Sequence, residues 1–417
     1  MAFYTNSVKT EIFNSVFDQR NYRSEFRLTS DKLYLSNMRI LNLGLTSVET
    51  TPNKRYNLVN GVGSAIKSIT LYDGSTILDK ITNFSDYSAF QEYNHTNQYN
   101  SDIGKVLHRS GLGFIYEREP NVVNLGEENI TIKETFPNCP DEPKLTQEGG
   151  SALGFLNLRE VFPLLKGANG MQFLHTGLFK NLRIVLEYNI VGAVVGSGLS
   201  EVIGTTIPIL VADCIEDPAV ASKFLSEFKQ QTWISCETES VVVPASAVVG
   251  TQELKFRLSG ALNKTVNYIL IQKKGSTDVS ALYGNHGSES QVDEAYQLYC
   301  NGSALIPEQG VTAPMQKLAM LHDTFGVMNS FTCSADLQMY NAQLFIDNDD
   351  ERSGRLDYFG CVINKKVTAL DLVYSRLIST TAGVPARYRQ GLTLNVFYGI
   401  VKAIVKDNKG GYQVMYV

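Results

Sequence analysis

Ser64 and Lys67 stand three residues apart in the stretch SAIKSITLYDGST, the S-x-x-K spacing in which a lysine can draw the proton from a serine nucleophile. That chemistry needs a helix, since residues three apart share a face there. The alternation around them predicts a strand instead, which separates the two side chains. Ser151 in EGGSALG misses the G-x-S-x-G nucleophile elbow by one position, and GVGSAI, from Gly61, lacks the third glycine of a dinucleotide loop. A G-x-x-x-x-G-K-[ST] phosphate loop is absent.

The histidines His95, His108, His175, His286 and His322 show no zinc-ligand spacing. His322 and Asp323 are adjacent, but no nucleophile completes a catalytic set, so they read as a surface or capping pair. In DNDDERSGRLD, Asp347, Asp349 and Glu351 offer oxygen ligands to a calcium ion, yet the glycine that an EF-hand turn requires is Arg352. That run, Asp347 to Asp357, reads as a solvated loop. Trp233, the only tryptophan, has a ring able to stack a sugar but reads as a core anchor. No catalytic, cofactor-binding or metal-ligating residue is assigned, no cofactor is expected, and the expectation is that the chain is not an enzyme.

Residues of these types are positioned by strands. NLRIVLEYNIV places Leu182, Ile184, Leu186, Tyr188 and Ile190 on one face, and GLTLNVFYGIV does the same with Leu392, Leu394, Val396, Tyr398 and Ile400, predicting half-buried strands. Asp73-Gly74, Lys274-Gly275 and Gly410-Gly411 sit where tight turns accept positive φ. One helix is clear: in EDPAVASKFLSEFKQQ, Asp217 caps, Pro218 fits the first helical position, and Val220, Phe224, Leu225 and Phe228 form the apolar face. LNLREVFPLLKG predicts a short helix interrupted by Pro163.

The chain repeats itself. Tyr56, Leu58, Ile66 and Ile69 match Phe256, Leu258, Val266 and Ile269 at an offset of 200, and Gly74 matches Gly275. AFQEYN at Ala89 matches AYQLYC at Ala295, and LRIVLEYNIV at Leu182 matches LTLNVFYGIV at Leu392, an offset of 210. Four matches in the same order predict a tandem duplication, each copy an antiparallel sandwich, with the joint near residues 205 to 217. At 417 residues the chain exceeds what one core holds, which agrees.

Bulk properties exclude other classes. With 43% hydrophobic and 19% charged residues, the chain is expected to fold throughout. A net charge of -5, a pI near 5.7 and basic runs no longer than Lys273-Lys274 and Lys365-Lys366 argue against a phosphate-binding patch, so no sequence-specific nucleic-acid binding is expected. The N-terminal stretch lacks the apolar core of a signal peptide, and Ile190 to Cys214 carries Glu201 and Pro208 and reads as strands and turns rather than a membrane helix. Six scattered cysteines read as reduced thiols, and the sequons at Asn83, Asn94, Asn129, Asn263 and Asn301 are expected to stay unglycosylated.

SAIKSITLYDGSTILDKI followed by FSDYSAFQEYNHTNQ resembles the early strand-turn-strand and helical segment of virophage and polinton-like capsid proteins. LNLREVFPLLKGANGMQFLHTGLFKNLRIVLEYN looks like the segment closing a first jelly roll, and TIPILVADC like the crossing into a second. The chain thus resembles the double jelly-roll major capsid proteins of the lineage that includes adenovirus hexons and tailless phages.

That resemblance implies an all-β fold of two tandem antiparallel eight-stranded jelly-roll sandwiches with a few short helices: an arm over 1–28, a first jelly roll over 29–212 and a second over 213–417. It implies a homotrimeric, pseudo-hexagonal capsomer of an icosahedral shell, located in the virion and assembled in host cytoplasm or nucleus. Neighbouring capsomers and penton or minor capsid proteins would be partners, together with an internal membrane or cement protein. The polar excursion 117–152 and its shorter counterpart Lys274 to Gln291 would be outer loops. The alternatives are a minor or vertex capsid protein and a carbohydrate-binding double β-sandwich.

Overall fold

Clean alternation gives the second half of the chain its architecture. Leu370, Leu372, Tyr374, Arg376 and Ile378 are buried in turn while the residues between them are only partly covered, the period of a strand lying on a core. The computed structural model describes residues 8–18, 23–43, 45–47, 66–84, 87, 121–125, 128–132, 154–166, 173–188, 203–205, 207–275, 294–306, 310–311, 314–325, 358–378, 390–406 and 411–417.

The first-lobe strands are β1 (Val8–Asn14), β2 (Val16–Asp18), β3 (Arg23–Arg27), β4 (Leu33–Leu35), β5 (Arg39–Leu43), β6 (Leu45–Ser47), β7 (Ile66–Asp73), β8 (Thr76–Thr82), β9 (Asn121–Leu125), β10 (Glu128–Ile132), β11 (Gly154–Asn157), β12 (Phe173–His175), β13 (Leu182–Tyr188), β14 (Ile203–Thr205) and β15 (Ile209–Ile215). Those of the second are β16 (Gln230–Val243), β17 (Gly250–Arg257), β18 (Thr265–Gly275), β19 (Ala295–Cys300), β20 (Ser303–Ala304), β21 (Tyr358–Lys366), β22 (Leu370–Ile378), β23 (Leu392–Lys406) and β24 (Tyr412–Tyr416).

The second lobe has one sheet in the order β16-β23-β18-β21, extended by β24 on β23, and a facing sheet in the order β17-β22-β19-β20. In chain order these are first-eighth-third-sixth and second-seventh-fourth-fifth, the interleaving of two Greek keys that defines a jelly roll. Leu258, Val266, Ile271, Leu298, Leu372 and Val396 are among the residues of its core.

The first lobe has the same heart. Its sheet β2-β3-β13-β7-β8 sets an early strand, a late strand and a middle strand side by side, as β16-β23-β18 does. The facing sheet runs β11-β5-β15-β4-β12, with β1 laid against β15 from Val8 opposite Ile215 to Asn14 opposite Ile209. One core containing Phe26, Ile40, Ile69, Ile184 and Leu210 fills the space between the two sheets.

A shared irregularity ties the lobes together. Ile66 pairs with Tyr188 and Ser68 with Glu187, so Lys67 is an extra residue; Val266 pairs with Ile400 and Tyr268 with Gly399, so Asn267 is one too. Both are β-bulges, at positions 200 residues apart. The partner strands are related differently from the sequence match: Ile69 faces Leu186 where Ile269 faces Tyr398, an offset of 212 rather than 210. A two-residue slip leaves every side chain on its face, so alternation alone cannot detect it.

Several expectations change. Residues 8–18 and 23–27, within the expected arm, lie in β1, β2 and β3, because their backbones pair with β15 and β13. A boundary at 212 would cut β15, whose pairing belongs wholly to the first lobe. Gly74 makes the expected hairpin turn at φ +58°, whereas Lys274 and Gly275 continue β18 opposite Thr393 and Leu392. Gly410 and AFQEYN lie outside the described residues. β23 is buried on both faces rather than one, because Phe397 joins the first lobe's core while Leu394 and Val396 join the second's.

The helix Pro218–Glu227 forms as expected, with Asp217 Oδ1 accepting from Ala219 N at 2.8 Å. Its Ala221 packs with Leu33 and Ile215, and Val220 and Phe224 lie against them. The segment broken at Pro163 is a one-turn helix, Leu158–Val161, then a 3-10 turn, Pro163–Lys166. Among the described residues no helix is long and apolar enough to cross a membrane. Cys214, Cys236, Cys300 and Cys361 are buried free thiols. Asn83, Asn263 and Asn301 each occupy a left-handed turn, a conformation asparagine tolerates, so these sequon residues have a structural reason to be asparagine.

Candidate functional site at the seam between the lobes

The charged residues most deeply enclosed by both lobes lie where β8 meets β16. Leu71 pairs with Asp79 and Tyr72 with Ile77, leaving Leu78 as a bulge on β8. A bulged residue is released from the ladder, and the Leu78 carbonyl instead accepts from Lys402 Nζ at 2.7 Å and from Ser235 Oγ at 3.4 Å. Leu78 itself fills the first lobe's core, and the next residue, Asp79, is buried at the seam.

The second lobe supplies the facing groups. Gln231, Trp233 and Ser235 recur every second residue along β16: Gln231 Nε2 donates to Leu164 O at 2.9 Å, and Trp233 Nε1 donates to Asp79 Oδ2 at 3.2 Å. Lys402 is the cross-strand neighbour of Trp233 on β23. Its ammonium is held 3.0 Å from Glu237 Oε1, and Lys264 Nζ lies 2.5 Å from Glu237 Oε2. Tyr416 of β24 donates to Glu237 and lies beneath both ammonium groups. At the rim, Thr82 meets Thr238, and Asn83 Nδ2 donates to Asn395 Oδ1 at 3.0 Å. Apolar contact continues through Tyr87 on Phe397, ring centroids 5.4 Å apart.

Electrostatics differ sharply across this cluster. Burial pushes the Asp79 carboxyl up to about 7, against the Ser235 hydroxyl, the Lys402 ammonium and the Trp233 N–H, which favour the anion. Asp79 Oδ1 has no hydrogen-bond partner. Burial works against the Glu237 anion too, but Lys402 and Lys264 hold that carboxyl below its usual value. Burial raises Cys236 well above an ordinary thiol.

Among the described residues, those singled out by sequence do not converge. Lys67 is an exposed bulge residue, Asp323 is exposed on the helix Pro314–Phe325, and Ser64, Ser151 and Asp347 to Asp357 lie outside the described residues, as does the side chain of His322. Trp233 is 5% exposed and holds the seam, so its ring offers no platform to a sugar. No cluster of metal-ligating side chains occurs among the described residues. Sequence reading missed Asp79, Glu237 and Lys402; their signal was a charge set inside apolar runs, as in TILDKI and IVKAIV.

Two jelly rolls in tandem, joined through a buried seam, define a double jelly-roll protein, the fold of viral major capsid proteins. The crystal structure of the mavirus major capsid protein superposes with a TM-score of 0.51 at 10% identity, covering 100% of this chain and 91% of that one. A chain of the Sputnik virophage structure gives 0.54 at 9%, covering 98% and 88%, and the Faustovirus major capsid protein gives 0.52 at 8%, covering 95% and 90%. No family model and no curated relative matches the sequence.

Proposed function

We propose that this chain is a major capsid protein, a structural rather than catalytic subunit that assembles as a homotrimer into pseudo-hexagonal capsomers of an icosahedral virion. The observation that carries the reading is the repetition of one sandwich within one chain: β3-β13-β7 and β16-β23-β18 share order and bulge. Three such chains present six similar lobes, the number a hexagonal lattice requires. Fold likeness to capsid proteins over nearly the whole chain supports it.

On this reading the first jelly roll takes residues 8–215, the helix Pro218–Glu227 is the link, and the second takes 230–417. The partners would be two further copies, neighbouring capsomers and penton or minor capsid proteins. The buried position of Trp233 and the second jelly roll both weigh against the carbohydrate-binding and single-lobed vertex readings. Mass photometry of the purified chain tests the proposal: a trimer is expected, and a stable monomer at micromolar concentration would overturn it.

A further inference from the structure

Joining two sandwiches does not by itself require a carboxylate at the joint. An apolar residue at position 79 would bury without cost, whereas an aspartate there loses its hydration, accepts from the Trp233 indole at Oδ2 and leaves Oδ1 without a partner. Leu78 O absorbs the Lys402 ammonium and shares it with Glu237, so the cation nearest Asp79 is already engaged.

We propose that the seam is a proton-controlled joint: Asp79 carries a proton while β8 is closed on β16 and β23, and its ionisation loosens that contact. A protonated carboxyl brings a donor of its own to the unpartnered Oδ1 side, while the ionised form sets a buried anion beside the thiol of Cys236 and the carboxylate of Glu237. The titratable and charged groups around Asp79 are Cys236 and Glu237 on β16, Lys402 on β23, Tyr268 on β18, Tyr416 on β24 and Tyr87 of the first lobe. Burial moves Cys236, Tyr268 and Tyr416 upward and the neighbouring ammonium groups move Glu237 downward, so these groups leave the neutral range to Asp79.

The sign follows from linkage. The closed seam binds the Asp79 proton more tightly than an open, hydrated seam, so closure is strongest below the ordinary aspartate value. It weakens as pH rises from there to about 7, and is constant above. Over that window the opening equilibrium should grow up to about tenfold per pH unit.

Trp233 is the chain's only tryptophan and touches the group in question, so its emission reports the joint directly. Fluorescence of the intact protein from pH 5 to 9 is expected to show a one-proton transition near neutrality that is absent in Asp79→Asn. A flat wild-type profile, or the same transition in Asp79→Asn, would overturn the proposal. Should Asp79→Asn fail to fold, hydrogen exchange on the wild type decides: protection at β8 and β16 should fall between pH 5 and 7 relative to β19 and β22. Parallel behaviour of all four strands would refute the joint.

Discussion

Gly399 sits in the middle of β23, opposite Tyr268 at the bulge of β18. A Cβ added there would lie 2.4 Å from Tyr268 Cε1, 2.6 Å from Cδ1 and 2.8 Å from Cζ, roughly 1 Å inside ordinary carbon contact. The ring cannot simply withdraw, because its other neighbour is the Phe325 ring, packed edge-on with centroids 4.8 Å apart. Two effects of Gly399→Ala therefore compete. Restricting the unfolded chain stabilises by about 0.4–1 kcal/mol, whereas overpacking a filled site costs about 1–3 kcal/mol. The clash should win, giving a net loss of about 1–2 kcal/mol, read as a lower urea midpoint at unchanged slope. In a Tyr268→Ala background the obstacle is gone, and the same substitution should be neutral or slightly stabilising. The difference between the two backgrounds, about 1–3 kcal/mol, isolates the ring contact. Equal effects in both backgrounds, or a raised midpoint in the single variant, would refute this account of why β23 carries a glycine.

At the β7–β8 turn, Gly74→Val should cost at least about 1–2 kcal/mol and lower the yield of folded protein, because a β-branched residue resists a φ of +58° although nothing lies within 4 Å of its Cβ. Lys67→Ala, at an exposed bulge, should stay within about 0.5 kcal/mol in thermal unfolding. Asn301 Oδ1 accepts from Thr368 N at 2.7 Å, Thr368 Oγ1 at 2.8 Å and Ala369 N at 3.1 Å, while its backbone is left-handed at φ 52°. Asn301→Ala should lose both advantages, about 1–3 kcal/mol, and Asn301→Gly only the hydrogen bonds, so calorimetry should rank alanine below glycine.

Local chemistry was legible where a few neighbouring residues decide the outcome. Asp217 and Pro218 specify a helix start within four residues, and Asp73-Gly74 a turn within two. Lys274-Gly275 looked equivalent to that turn, but the chain beside it is supplied by β23 from far along the sequence, and long-range pairing carried the strand through Gly275. The period of two that revealed the inward face of β23 also concealed the two-residue slip between the copies. Burial of its other face was invisible, since the material covering Phe397 belongs to a different lobe. The seam left only a trace: Asp79 and Lys402 look like interruptions of apolar strands until both ends of the contact are placed.

The bulges at Lys67 and Asn267 also set how much each strand tolerates a change of length. Elsewhere in β7, removing one residue would turn the following side chains inside out. At Lys67, removal would bring Ile66 opposite Tyr188 and Ser68 opposite Glu187 as a regular ladder. Each lobe thus carries an extra residue at one matched position: deletion at Lys67 would leave the core's inward faces unchanged, while at Asn267 it would also remove a side-chain hydrogen bond to Asn364 of β21.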